Sequence, residues 1–262
     1  MGFLNKLILF IGATVFSAEV LALAPVKEFS AQAVISVPQQ SPRISRLFVS
    51  KKAVRNEMES DGQIWIEIIF PEQGRAVLIN DAARVYRERH FTPQDSKNDG
   101  DPCAQILHAT CEKKGTEKIN GMNTEKWEII SDMGGQKIRT LHWIDIKRKL
   151  ALREFFPDGT VAELKMIAKE TINGRNTETW QRTLDRPDGR KVTSYQWYDR
   201  ELGIAIREEL PGGYVRELKQ IRVNEQPASL FEVPKTYQRI EDNTSPDQGA
   251  LTQPELHTVR NR

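Results

Sequence analysis

The sequence of 262 residues lacks the features that mark several large classes of protein. It has only two cysteines and no block of like charges. After the first two dozen residues, no apolar run approaches the roughly 20 residues that a membrane-spanning helix needs. Its 38 basic and 36 acidic side chains are interspersed and give a formal net charge of +2. Because nucleic-acid binding requires a clustered basic face, we predict no nucleic-acid partner and no integral membrane segment in the mature chain.

Motifs for catalysis and metal binding are missing as well. The sequence contains no nucleophile elbow, phosphate loop, zinc-protease motif or dinucleotide fingerprint. The four histidines are scattered, and none has a partner at metal-ligand spacing: His90, His108, His142 and His257. We therefore predict a protein that is not an enzyme, with no catalytic residue, no cofactor and no metal site.

The N-terminus has the order of a secretory signal peptide. Lys6 precedes an apolar run over residues 7–16, and small residues follow at Ala18, Ala22 and Ala24. We predict that residues 1–24 form the signal peptide, with cleavage after Ala22 or Ala24. The alternative, an uncleaved membrane anchor, would need a longer apolar core. The mature protein is then expected to be soluble and periplasmic.

The two cysteines, Cys103 and Cys111, are expected to form a disulfide, which is the usual state of a cysteine pair in an exported chain. Eight helical steps span about 12 Å, whereas the Cα atoms of a bridged pair lie roughly 4.4–6.8 Å apart. A bonded pair therefore cannot lie on one unbroken helix. The alternative is a redox-active or metal-binding pair. We interpret residues 92–115 as a loop insertion with one short helical turn.

An internal repeat organises the second half of the chain. Residues 117–127 closely match residues 170–180, and the match continues at Trp143 and Trp197 and through residues 163–165 and 217–219. Pairs of turn residues recur at equivalent places and are flanked by short runs rich in β-branched and aromatic residues, which is typical of hairpins. We predict two four-stranded antiparallel meanders, over about 115–168 and 169–223.

The predicted strands lie near residues 124–131, 137–145, 150–156 and 160–167 in the first unit, and near 177–184, 191–198, 203–210 and 213–223 in the second. The first half adds strands near 28–37, 63–70, 75–80 and 84–90, for a total of 12 to 14. The fold class is therefore mainly β, an extended antiparallel sheet curved into a half-open barrel, with little helix. We expect one domain over residues 25–240 and a disordered polar tail over 241–262.

Four tryptophans occupy equivalent places in the two units: Trp127, Trp143, Trp180 and Trp197. Such side chains bury large apolar areas and serve as core anchors. They also line concave apolar ligand surfaces. Periodicity leaves both interpretations open.

Several of these segments resemble the superfamily of outer-membrane lipoprotein carrier (lipoprotein-sorting) proteins. They are the stretches 115–121, 124–127, 143–145 and 229–237, and the opening strands over 29–86. Within that superfamily the chain resembles exported members that carry a domain of unknown function. The resemblance implies a half-open β barrel that holds an apolar ligand on its concave face.

From the resemblance we expect a non-enzymatic periplasmic carrier for a lipid, an acyl chain or a lipidated envelope protein. The alternative is a module that recognises an envelope protein or senses envelope stress without transporting lipid. The carrier fold covers its cavity with lid helices, and the sequence departs from it by showing no amphipathic helix pattern beyond the cysteine loop. A continuous apolar trough would favour the carrier, and a charged or filled face would favour the interaction module.

Overall fold

The computed structural model describes residues 27–91, 109–133 and 135–241. The predicted signal peptide, Cys103 and the predicted tail beyond residue 241 lie outside the described residues. The disulfide between Cys103 and Cys111 therefore remains a prediction.

Nearly all described secondary structure is β-strand, with two short 3-10 turns over Pro71–Gln73 and Ala228–Phe231. The strands are β1 Phe29–Ser36, β2 Arg43–Val49, β3 Val54–Ser60, β4 Gln63–Phe70, β5 Arg75–Asn80, β6 Val85–His90, β7 Ala109–Ile119, β8 Met122–Met133, β9 Gln136–Asp145, β10 Ala151–Phe155, β11 Val161–Ile172, β12 Arg175–Asp185, β13 Lys191–Asp199, β14 Ile204–Leu210, β15 Tyr214–Val223 and β16 Gln238–Arg239.

All sixteen strands belong to one sheet, in the order β16-β6-β5-β4-β3-β2-β1-β15-β14-β13-β12-β11-β10-β9-β8-β7. Neighbouring strands are antiparallel, apart from β16, which pairs with β6 in parallel. The first and last long strands meet where Phe29 of β1 opposes Val223 of β15. Within the described ranges, β7 forms the opposite edge and pairs only with β8. The sheet is thus large and curved without closing into a barrel, which confirms the predicted fold class.

Tight turns set the meander of the second half. Asn120-Gly121 and Asn173-Gly174 each join two strands through a two-residue loop, and all four residues have positive φ, between 51° and 79°. This backbone matches the twist of hairpin strands and favours Asn-Gly. The turn chemistry in the sequence therefore predicts the observed hairpins correctly.

The interpretation of residues 92–115 as one loop insertion was wrong for its last part. Strand β7 begins at Ala109 and pairs with β8 from Ala109 opposite Ser131 to Ile119 opposite Met122. Most of its side chains are exposed, so an edge strand of this kind has no apolar alternation to reveal it. With β16, this strand brings the count to sixteen rather than 12 to 14.

The two faces of the sheet differ in character. We call one the apolar face and define it by Phe29, Leu47, Trp127, Trp180 and Leu218, which the pairing register places on the same side. The opposite side is called the ion-pair face. It is defined by Trp143, Arg153, Trp197, Arg207 and Arg55. The names follow from the side chains described below.

Each face carries part of the core. On the apolar face, a cluster around Phe29, Leu47 and Leu218 is fully or almost fully buried. On the ion-pair face, Ile68 and Ile79 belong to a second cluster that the C-terminal strap, residues 228–239, packs against. No helix within the described part of the chain has the length and apolar character to cross a membrane.

Candidate ligand-binding site

The register divides the four predicted tryptophans between the two faces. Trp127 opposes His142, and Trp180 lies on the same apolar face, opposite Met166 of β11. Trp143 opposes Arg153 and Trp197 opposes Arg207, both on the ion-pair face. The register therefore gives each repeat unit one indole on each face, although Trp143 and Trp180 belong to the same apolar cluster.

On the ion-pair face, the two units build the same polar contact. The Trp143 indole N–H donates to Glu117 Oε2 at 2.7 Å, and the Trp197 indole N–H donates to Glu170 Oε1 at 2.7 Å. The hydrogen bonds from Thr179 and Trp197 hold the pKa of Glu170 below its usual value. Tryptophans whose indole N–H is hydrogen-bonded are typical structural anchors. We therefore interpret Trp143 and Trp197 as packing residues.

Arginines complete this contact in both units. The Arg153 guanidinium lies 5.9 Å from the Trp143 ring centre and pairs with Glu163. Arg207 lies 5.3 Å from the Trp197 ring and pairs with Glu217 at 3.4 Å. Cation–π and ion-pair contacts therefore run across the strands of this face in both repeat units.

A third cluster lies in the first repeat unit and at its junction with the second, and it contains Trp143 of the ion-pair face as well as residues of the apolar face. Trp180 and Leu152 are buried, and Leu164, Met166 and Tyr198 are half-buried against them. Burial raises the pKa of the Tyr198 hydroxyl, and the nearby Glu178 carboxylate adds to this shift. The cluster is a band of apolar and aromatic side chains that extends from Ile119 of β7 and Trp143 of β9 to Tyr198 of β13.

No second layer covers this face within the described residues, because each strand makes its extensive contacts with its direct neighbours. Turn residues fold over one end instead: Leu202 joins the Phe29 cluster, and the Arg148 guanidinium lies 5.8 Å from the Trp180 ring. Phe29 and Leu218 are nevertheless fully buried. Their burial without a covering layer indicates that the sheet curves toward this face. At this end of the sheet the side chains of the apolar face are therefore packed against one another and against turn residues.

A polar network interrupts the apolar face. His142 Nε2 lies 2.9 Å from Thr140 Oγ1, and its Nδ1 lies 3.4 Å from Glu154 Oε1. Arg182 donates to Glu154 Oε2 at 3.1 Å. Burial lowers the pKa of His142, and Glu154 opposes that shift without overcoming it. The network places a small polar patch among apolar side chains, where it could orient a ligand.

A cavity of about 500 Å³ opens beside the turns at one end of the sheet, next to β11 and β12. Charged side chains of both faces line it: Lys169 and Glu178 of the apolar face, Glu170 of the ion-pair face, and Arg200 and Glu201 of the turn after β13. Sequence reasoning did not single out any of them. A comparison of the two repeat units position by position could have identified them.

No family model matches the chain, and no match was found among curated proteins. Solved structures with a related strand arrangement include a LolA superfamily protein from Nitrosomonas europaea, with a TM-score of 0.34 and 11% identity, over 81% of this chain and 93% of that one. A DUF1329 family protein from Desulfovibrio piger has a TM-score of 0.28 and 15% identity, over 82% of this chain and 92% of that one.

A third similar structure is the MucA/MucB complex of Pseudomonas aeruginosa, with a TM-score of 0.35 and 12% identity, over 85% of this chain and 61% of that one. The first is a member of the superfamily that several segments of the sequence resemble. At these scores the argument for function rests on the geometry of the chain itself.

Proposed function

We propose that the protein is a non-enzymatic periplasmic carrier, which holds an acyl chain of a lipid or of a lipidated envelope protein against its apolar face. The observation that carries the proposal is the row of half-buried Leu164, Met166 and Tyr198 beside buried Trp180 on the apolar face. Burial of an acyl chain is favourable by roughly 0.8 kcal/mol per methylene. A groove of this kind therefore needs no catalytic group to bind its ligand.

The faces differ enough to test the proposal by substitution on one strand. Leu164 lies on the apolar face and is half-buried, whereas the next residue, Lys165, lies on the ion-pair face and is exposed. Leu164→Glu places a carboxylate in the trough. Lys165→Glu is the matched control, since it adds the same side chain one position later on the opposite face.

The measurement is a titration of the delipidated protein with fatty acids of increasing chain length, followed by intrinsic fluorescence. Saturable binding is expected, and each buried methylene should strengthen it about fourfold, from the transfer energy above. Leu164→Glu should abolish binding while Lys165→Glu preserves it. Equal effects of the two variants, or an affinity that does not depend on chain length, would contradict the trough.

Tryptophan substitutions locate the fluorescence change. The double variant Trp127→Phe/Trp180→Phe removes both repeat-unit indoles from the apolar face and should lose most of the change. The double variant Trp143→Phe/Trp197→Phe removes those of the ion-pair face and should retain it.

A second candidate function is recognition of an envelope protein, which the free outer edge of β7 favours within the described residues. An exposed edge can accept an added strand from a partner. However, the edge carries Lys113, Lys114 and Lys118 and a bulge at Gly115, which are features that natural sheets use to prevent such pairing. If no fatty acid binds, recognition of a protein becomes the better account.

A further inference from the structure

Glu178 is a buried carboxylate whose hydrogen-bonding capacity is incompletely used. It lies on the apolar face in β12, and its side chain is only 6% exposed. The Oε1 atom is buried and accepts no hydrogen bond. Arginine nitrogens of Arg148 and Arg200 approach Oε1 to 3.7 Å each, which is too long for a hydrogen bond. Burial of a carboxylate oxygen without a donor is unfavourable, so this position calls for an additional donor.

The first repeat unit shows which donor is missing in the second. Glu125 is the equivalent of Glu178, and it accepts a hydrogen bond from Lys113 Nζ at 2.5 Å. Lys113 opposes Trp127 across β7 and β8, and Met166 opposes Trp180 at the equivalent place across β11 and β12. The second unit therefore has a thioether at the position from which the first unit supplies an ammonium group.

The charged groups around Glu178 in the cavity already have partners of their own. Asp199 Oδ1 accepts backbone N–H groups of Glu201 and Leu202, and Arg175 donates to Asp199 and Glu201. Glu170 accepts from the Trp197 indole, as described above. Among the carboxylates that line the cavity, Glu178 is the one with a buried oxygen that lacks a donor.

The rim of the cavity offers cations for an anionic group. Lys169 is exposed, and the Arg200 side chain is 70% exposed and touches Glu178 only at 3.7 Å. Because Arg200 is exposed and its contact with Glu178 is long, another cation can replace it beside Oε1. An arriving ammonium group would then take its place beside the carboxylate, and the released guanidinium could hold an anion.

We propose that the cavity beside Glu178 binds the primary ammonium group of a zwitterionic headgroup such as phosphoethanolamine, with Arg200 and Lys169 holding the anionic part. The inference deepens the proposed function and rests on it. Met166, Trp180 and Tyr198 of the apolar band adjoin Glu178 along the sheet, so an acyl chain in the trough and a headgroup in the cavity belong to one amphiphile. The headgroup chemistry could come from a lipid or from a soluble phosphodiester, and the experiment distinguishes the two.

Calorimetric titration of the mature protein with glycerophosphoethanolamine tests the headgroup site alone. Glycerophosphocholine is the matched ligand, because its quaternary ammonium has no N–H to donate to Oε1. Binding of the first should be at least tenfold tighter than binding of the second. Lysophosphatidylethanolamine forms the second arm, and tighter binding of this lipid than of the soluble headgroup identifies an amphiphile as the preferred source.

Three variants locate the site. Glu178→Gln should weaken binding of both ethanolamine ligands at least tenfold, whereas Glu125→Gln, the same change at the equivalent position of the first unit, should leave it unchanged. Met166→Lys supplies an internal ammonium group, as Lys113 does in the first unit, and should block the site. Thermal unfolding checks that each variant is folded. If Met166→Lys does not fold, the comparison of Glu178→Gln with Glu125→Gln still decides the test.

The outcomes separate this inference from the carrier proposal. Equal affinity for the ethanolamine and choline headgroups, or equal effects of Glu178→Gln and Glu125→Gln, would overturn the headgroup site. If fatty acids still bind in that case, the trough stands without the headgroup site. Binding of glycerophosphoethanolamine that depends on Glu178, together with no binding of fatty acids, would support the site and reject the trough.

Discussion

Asp145 and Asp199 hold equivalent turns in the two repeat units, and their replacement by alanine should have unequal costs. Asp145 Oδ1 accepts the backbone N–H groups of Lys147 and Arg148, at 2.8 and 2.5 Å. Asp199 Oδ1 accepts the equivalent pair of backbone N–H groups in the second unit. Both aspartates are almost completely buried. The two turns are therefore matched in their backbone contacts.

The difference between them is a salt bridge. Arg175 donates to Asp199 Oδ2, and its side chain is only 17% exposed. The first unit has Met122 at the equivalent position. Loss of the backbone contacts should cost about 2 kcal/mol in either turn, and loss of a hydrogen bond to a charged partner adds about 1.5–3 kcal/mol. Asp199→Ala should therefore destabilise the protein by about 4 kcal/mol and Asp145→Ala by about 2 kcal/mol.

Urea unfolding measures both values, provided that the slope with denaturant is unchanged. Arg175→Met gives the second turn the composition of the first, and in that background Asp199→Ala should cost no more than Asp145→Ala. The double-mutant cycle isolates the contribution of the salt bridge. If Asp199→Ala and Asp145→Ala have equal costs in the parent protein, the magnitude assigned to Arg175 is wrong.

Two further predictions concern the thiols and pH. Protein isolated without reductant should contain no alkylatable thiol under denaturing conditions, because Cys103 and Cys111 are expected to be bridged; two reactive thiols would refute the disulfide. Burial holds the pKa of His142 below its ordinary value, so the unfolded state binds more protons than the folded state once the pH falls below about 6.5. The stability contributed by neutral His142 is complete above that pH and is lost as the pH falls through the folded-state pKa. Denaturant midpoints measured between pH 7.5 and 5 should therefore decrease, and His142→Gln should reduce the decrease.

The sequence predicts the hairpins of the second half because local chemistry determines them. Asn-Gly and Gly-Gly pairs accept positive φ, and the strands between them are short and rich in β-branched and aromatic residues. Strand β7 is different, since its pairing with β8 is fixed by the neighbouring strand and its own side chains are polar. The repeat does contain a signal for it, because β7 lies about 53 residues before β11.

The separation of the tryptophans between two faces could not be predicted from their spacing. Which side an indole occupies depends on the pairing register, and a bulge changes the alternation of side chains within a strand. Such irregularities occur after Lys113 in β7 and after Met166 in β11. Glu178 could not be singled out from the sequence either, because it is marked only by comparison with the contact between Glu125 and Lys113. Lys113 precedes the segment in which the repeat is easily recognised.

Several equivalent positions of the two repeat units carry different residues on the apolar face. On the ion-pair face, both units retain the same set of carboxylate, indole and arginine: Glu117, Trp143 and Arg153 in the first and Glu170, Trp197 and Arg207 in the second. On the apolar face, some equivalent positions are retained, such as Trp127 and Trp180, whereas others carry different chemistry: Lys113 and Met166, Ile129 and Arg182, and His142 and Gln196. Contacts that only hold strands together need the same residues in both units, because both units have the same strand geometry. A ligand that lies across both units meets each at a different point along its length, so the side chains that touch it have reason to differ. The pairs that differ on the apolar face are therefore the positions at which substitutions test the proposed ligand contacts most directly, independently of which ligand is bound.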